Sequence, residues 1–176
     1  MVEPITTSFG MIRPWCPADA DALARHANNR NIWINLRDGF PHPYTAVHAA
    51  SFIEIASHRT SGTLCALATR QEAIGGMGIT VNQDVHRLTA ELGYWQAEPY
   101  WSKGFMTEAV IKYTEYAFER FGLLRIYAEP YAYNERSFRV LEKAGFNLEG
   151  RMRCSVIKDG KITDQLLYAK IRNLDG

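Results

Sequence analysis

The chain has 176 residues, of which 47% are hydrophobic and 22% charged, and its formal net charge is +1. This describes one globular domain over residues 1–176, long enough to bury a core. The near-zero charge excludes an electrostatic footprint for nucleic acid or an anionic membrane, and no apolar run reaches the ~18–20 residues of a membrane helix.

The first ten residues, MVEPITTSFG, lack a basic segment followed by an apolar one, so no secretory signal is expected. Cys16, Cys65 and Cys154 are odd in number, far apart and form no Cys-x-x-Cys. They read as free thiols of a reducing cytoplasm. His26, His42, His48, His58 and His86 show no ligand spacing, so no metal site is expected.

In chain order, residues 8–15 read as a first strand closed by Pro14 and Pro17. Residues 17–26 follow as a helix with proline and acids in its first turn. Residues 28–45 are irregular, broken by Asn-Asn, Asp-Gly and Pro-His-Pro. Residues 46–58 form a second helix, and residues 63–70 and 73–81 a hairpin. The strand 90–95 comes next. Then Met106, Ala109, Val110, Tyr113, Ala117, Phe118 and Phe121 recur at helical spacing and mark the longest helix. A strand at 123–129 stops at Pro130, and a short helix spans 134–144 with Gly145 as a left-handed stop. Strands 146–157 and 162–172 flank Lys158-Asp159-Gly160-Lys161, a hairpin turn signal. The order β-α-α-β-β-β-α-β-α-β-β predicts a twisted mixed sheet of about seven strands with four helices on both faces.

The stretch Tyr100 to Phe121 organises the rest. Strand 90–95, the short turn Ser102-Lys103-Gly104 and a helix start aim unpaired backbone N–H groups at one spot. The helix dipole adds partial positive charge there, and Lys103 a mobile one. Such a place binds phosphate or pyrophosphate. It is not a P-loop, for it lacks the length and the Gly-Lys-Ser/Thr order. Nor is Gly75-Gly76-Met77-Gly78 a dinucleotide fingerprint, because strand residues Ile79-Thr80-Val81 follow it.

The turn Trp101-Ser102-Lys103-Gly104-Phe105-Met106 resembles the pyrophosphate loop of the GNAT superfamily of acyl-CoA-dependent N-acyltransferases, Gln/Arg-x-x-Gly-x-Gly/Ala, with Trp and Met at the outer positions. The strings ELGYW, YWSKGFMTEAV, NERSFRVLEKAGF and EGRMR…KDGK…D…Y extend the likeness over residues 10–171. They look like the branch holding the ribosomal-protein N-terminal alanine acetyltransferases and their small-amine relatives. The resemblance implies the GNAT fold and acetyl-CoA as co-substrate. It implies that strands 90–95 and 124–129 splay beside the long helix, with the pantetheine arm paired to backbone groups of Leu92, Gly93 and Tyr94. The pyrophosphate then sits on the amides of Ser102, Lys103, Gly104, Phe105, Met106 and Thr107. Asn134 reaches pantetheine or an ordered water and Ser137 the cofactor sulfur; Lys143 meets the 3′-phosphate or is an exposed helix lysine, two equal readings. Asn134 is equally an N-cap, and capping leaves its NH2 free. The acceptor wall falls on Trp33, Arg37, Phe40 and Tyr44, near Lys158.

Glu91 is the candidate base. Amide formation needs a neutral amine, and an alkylamine near pH 7 is mostly ammonium. Strand alternation puts Glu91 and Gly93 on one face, Leu92 and Tyr94 on the other. An ion-paired Glu91 is an equal reading, and Glu149 is the reserve. Ser137 is the candidate proton donor to the leaving thiolate. The expected reaction is direct attack of a bound amine on acetyl-CoA, with no covalent enzyme intermediate. Residues 28–45 hold Arg30, Arg37 and one acid, Asp38, which disfavours a polycationic acceptor. A protein N-terminal residue leads; a small amine or free amino acid follows, and a non-catalytic acyl-CoA binder is the other class. Oligomeric state stays open, with a homodimer as an option.

Overall fold

The computed structural model describes residues 3–172. Eight strands form one sheet in the order β1-β2-β3-β4-β5-β6-β8-β7. They are β1 (Ile5–Thr7), β2 (Gly10–Pro14), β3 (Gly62–Ala68), β4 (Ala73–Val81), β5 (Thr89–Gln96), β6 (Arg125–Ala128), β7 (Asn147–Lys158) and β8 (Lys161–Ile171). Five α-helices accompany them: α1 (Ala20–Ala27), α2 (Arg30–Trp33), α3 (Ala46–His58), α4 (Phe105–Phe121) and α5 (Glu135–Lys143). Only β5 and β6 run parallel; every other neighbouring pair is antiparallel.

The mixed α/β architecture is the expected one, with one strand and one helix more. The predicted first strand is a hairpin, in which Ile5 pairs with Ile12 and Thr7 with Gly10. The three residues of β1 alternate too briefly to register in the sequence. Inside the segment expected to be irregular, α2 forms one turn because the Asn29 side chain caps it, accepting from the Asn31 amide at 2.8 Å. The turn Asp159-Gly160 has positive φ at both residues, as an Asp-Gly hairpin requires.

α4 lies on one face of the sheet. Of the stripe read from the spacing, Met106, Ala109, Val110, Tyr113, Ala117 and Phe118 are buried there with Ile74, Met77, Leu92 and Ile126, while Phe121 at the helix end is only partly buried. Gly104 and Gly122 bound the helix with left-handed backbone, which glycine adopts without steric cost. α1 and α3 cover the other face, closing a second cluster of Trp15, Leu23, Tyr44, Ile53 and Trp95.

An ion pair fixes the entry to α1. Asp19, with its side chain 6% exposed, takes two 2.7 Å bonds from Arg13, itself 24% exposed, and a third from the Cys16 amide. Burial pushes the Asp19 carboxyl up, but these bonds outweigh it and hold it below its ordinary value. The stabilisation is therefore present above the unfolded-state pKa and lost as pH falls through the depressed one. Asp19→Ala strands the guanidinium and is expected to cost about 3 kcal/mol. A urea midpoint shift that shrinks on acidification checks this.

Candidate active site

β5 and β6 are hydrogen-bonded only through Thr89–Arg125, Ala90–Ile126 and Glu91–Tyr127. Beyond Glu91, β5 keeps to β4, with Leu92 opposite Ile79 and Tyr94 opposite Met77, while Ala128 stays on β8. The strands fork, as expected, and Pro130 follows with no N–H to offer. One backbone edge of residues 92–94 is left facing the gap. A cavity of about 780 Å³ runs through it, within the size of small-molecule sites.

The loop before α4 borders the same cavity. Ser102 and Gly104 both have left-handed backbone, at φ 61 and 79. Turns of this kind point successive amides to one side. The first amide of the helix to bond backward is that of Glu108, to the Gly104 carbonyl at 3.1 Å. The amides of Ser102, Lys103, Gly104, Phe105, Met106 and Thr107 donate to no protein acceptor among the described residues. Ser102, Gly104, Met106 and Thr107 line the cavity. The Met106 side chain packs in the core, so it leaves the amides clear. Phe105 stacks on Phe9 at 4.6 Å, and the Lys103 ammonium lies 5.1 Å from the Tyr100 ring centroid. Neither of those two residues lines the cavity.

α5 supplies the opposite wall. Asn134 is an N-cap, its Oδ1 accepting from the Ser137 amide at 3.3 Å, and its Nδ2 has no acceptor among the described residues. The Ser137 hydroxyl is 2.8 Å from the Tyr94 hydroxyl, which also donates to the Ser137 carbonyl at 3.1 Å. Burial pushes the Tyr94 hydroxyl well above the ordinary phenol value, only partly offset by Ser137. Lys143 lines the cavity together with Arg136 and Arg139. Arg136 sits 4.5 Å above the Trp101 ring, and the Trp101 indole donates to the Gln96 carbonyl at 2.7 Å. The two arginines were missed in the sequence; their i, i+3, i+7 spacing with Lys143 on one helix was the available signal.

On the far side of the fork, Glu91 meets Arg37 at 2.5 Å, and the same guanidinium lies 3.7 Å from Glu129. Burial raises the Glu91 carboxyl above its ordinary value; Arg37 pulls it down, and Glu129 adds to the rise. The ion-paired reading of Glu91 is thus correct in geometry, and it coexists with a place in the cavity wall. Glu129 was not singled out from the sequence, because only the β5–β6 register puts it on Glu91's face. Glu149, the reserve candidate, is bound to Arg125 at 2.7 Å, which holds it below the usual carboxylate range, and it does not line the cavity.

Phe40 and Tyr44 line the cavity with Trp95; ring centroids are 4.8 Å apart for Phe40–Tyr44 and 5.8 Å for Phe40–Trp95. Burial pushes the Tyr44 hydroxyl up to about 12. Trp33 stands apart from the cavity. Its ring is 3.8 Å from the Lys158 ammonium and 5.2 Å from the Arg30 guanidinium. Lys158, 1% exposed, also bonds Asp38 at 2.8 Å. Trp33 and Lys158 thereby pin the β7–β8 hairpin to the segment that carries Arg37, Phe40 and Tyr44.

Known proteins share this fold. Residues 11–147 match the family model described as "Acetyltransferase (GNAT) domain". The "Uncharacterized N-acetyltransferase YoaA" of Bacillus subtilis (strain 168) is 35% identical over 102 residues, 58% of this chain and 57% of that protein. The "Putative ribosomal N-acetyltransferase YdaF" of the same strain is 35% identical over 97 residues, 55% of this chain and 53% of that one. The chain thus spans little more than half the length of these curated relatives. Among solved structures, RimL, titled a ribosomal alpha-N-protein acetyltransferase in complex with coenzyme A, superposes with a TM-score of 0.87 at 18% identity, covering 98% of this chain and 100% of that one. A fork beside an unsatisfied helix start, together with a family match over most of the sequence, leads to one conclusion: the chain belongs to the GNAT acetyltransferase family.

Proposed function

We propose that the protein transfers the acetyl group of acetyl-CoA to a primary amine, with a protein N-terminal residue as the acceptor, by direct attack in a ternary complex. The observation that carries the reading is the set of unbonded amides from Ser102 to Thr107 beside the open edge of β5. Those amides hold the pyrophosphate, the free edge at Leu92, Gly93 and Tyr94 takes the pantetheine as an added strand, and Asn134 Nδ2 serves the same arm. Arg136, Arg139 and Lys143 supply positive charge for the remaining phosphate.

The acceptor enters from the Glu91 side. Glu91 takes a proton from the ammonium, directly or through one water, freeing the lone pair. The nitrogen bonds the thioester carbonyl carbon, the C–S bond breaks, and the sulfur leaves with its electron pair. Tyr94, through the Ser137 hydroxyl, protonates that thiolate, and solvent returns the proton to the tyrosine. Glu91 releases its proton to solvent, and the second nitrogen proton then passes to it or directly to solvent as the amide forms. Holding both substrates in one cleft is worth up to ~7–11 kcal/mol on its own.

The likeness to proteins whose names specify ribosomal acceptors supports the N-terminal reading. A free small amine is the second reading, favoured by the aromatic wall of Phe40, Tyr44 and Trp95, which suits a compact acceptor. Incubation with acetyl-CoA and a mixed panel of peptides and amines, read by mass, separates them. A gain of one acetyl on peptide N-termini is expected. Heat on coenzyme A titration without transfer to any acceptor would instead identify an acyl-CoA binder.

A further inference from the structure

We infer that the acceptor carries a bulky apolar or aromatic group on the carbon that bears its amine, and that this group lies above Gly93; the inference rests on the acetyl-transfer reading. On the sheet face that carries Glu91, the register sets Thr80 beside Glu91, Gly78 beside Gly93, and Gly76 beside Trp95. Three glycines in adjoining positions strip this patch of side chains, but they are not equivalent. A Cβ at Gly76 would come within 2.8 Å of the Trp95 indole nitrogen and 3.1 Å of Trp15. At Gly78 it would come within 2.5 Å of Leu64 Cδ2. Those two glycines are roofed by the protein's own side chains. At Gly93 a Cβ would meet nothing within 4 Å. The floor of the cavity is open there and nowhere else along the patch.

The walls around this opening are apolar. Leu36, Phe40, Tyr44, Phe52 and Trp95 all line the cavity, and the Phe40 ring touches both Tyr44 and Trp95. Ionised groups line the cavity as well. Arg37, Glu91 and Glu129 cluster at the fork, and Arg59 bonds the Thr80 hydroxyl at 2.6 Å. Glu91 and Gly93 are two residues apart on one strand, so their positions differ by about 7 Å. A phenylalanine ring tip, roughly 6–7 Å from its own α-amine, covers that distance, and a leucine, at about 5 Å, most of it. An ammonium that meets the Glu91 carboxylate beside Arg37 therefore places its side group in the chamber, where exclusion of water rewards apolar surface.

The same chemistry is offered by a peptide N-terminus and by a free amine, and a two-armed assay distinguishes them. The peptide arm is X-Ala-Ala with X as Gly, Ala, Leu or Phe; the small-molecule arm compares glycinamide with phenylalaninamide. Thiol release from acetyl-CoA by the full chain gives kcat/KM for each. Within at least one arm, the bulky acceptor is expected to exceed the glycine acceptor by about tenfold or more, the scale on which apolar pockets discriminate. Gly93→Val places a strand-favouring side chain in the chamber, and Phe40→Ala removes a wall; each is expected to bring that ratio to within about twofold. Equal or better use of glycine acceptors in both arms overturns the inference and leaves acetyl transfer standing, as does a ratio that survives in both variants. Coenzyme A binding with no transfer to any acceptor overturns both.

Discussion

Glu91→Gln lowers kcat/KM for acetyl transfer by roughly 10²–10⁴-fold, the usual worth of a positioned general base, while coenzyme A still binds. The expectation follows from where the carboxylate sits. It faces the cavity beside the fork, and its burial raises its pKa, which makes it a stronger base than a surface glutamate. Activity is then lost as pH falls through a midpoint above the ~4.3 of an ordinary glutamate, and the variant loses that limb of the profile. Stability moves the other way. A carboxyl whose folded pKa lies above its unfolded one stabilises the fold only while protonated. That contribution is full below the unfolded pKa and gone once pH has risen through the folded one. At neutral pH the ionised Glu91 adds nothing of this kind, so Glu91→Gln melts no lower than the parent protein. A variant with parental turnover would remove Glu91 from the chemistry; one that loses turnover together with its melting temperature would show only a damaged fold.

Tyr94→Phe and Ser137→Ala each lower turnover by about 10²-fold, and the double variant is no slower than the worse single one. The two hydroxyls are 2.8 Å apart and form one path, so breaking it once is enough. A phenol is the better matched source, for its reference pKa near ~10 is close to the ~8.5 of a thiol, far closer than an alkyl hydroxyl. Burial raises Tyr94 above that reference value, which keeps it protonated but also makes it a weaker donor to the thiolate. An acetyl donor whose thiol is strongly acidic needs no such proton and should restore the rate of both single variants. Losses that multiply in the double variant, or no rescue by the acidic thiol, would assign the pair to positioning alone.

Much of this site was legible in the chain. The helix stripe from Met106 to Phe118 and the turn Ser102-Lys103-Gly104 are local patterns, set by helical period and by left-handed backbone that few residues tolerate. Asn134 could be read as a cap because capping is a bond within four residues. Glu91 was legible as a lone acid in an apolar strand, but its partners were not. Arg37, Glu129 and Tyr94 reach their partners in the site through pairings 43 to 92 positions long in the chain or through strand register, which no local pattern encodes. Trp33 shows the converse. Its aromatic character fitted an acceptor wall, yet two cations from separate elements hold it outside the cavity.

The sequence by itself determined the mixed architecture, the order of the elements other than β1 and α2, and the unpaired start of α4, because each follows from periodicity, turn chemistry and the free amides of a helix end. Tertiary structure alone decided where β5 and β6 part, which glycine of the central strands lies open, and which carboxylates face one another. Those depend on how distant segments pack, and close packing is a property of the assembled interior that no single stretch of chain contains.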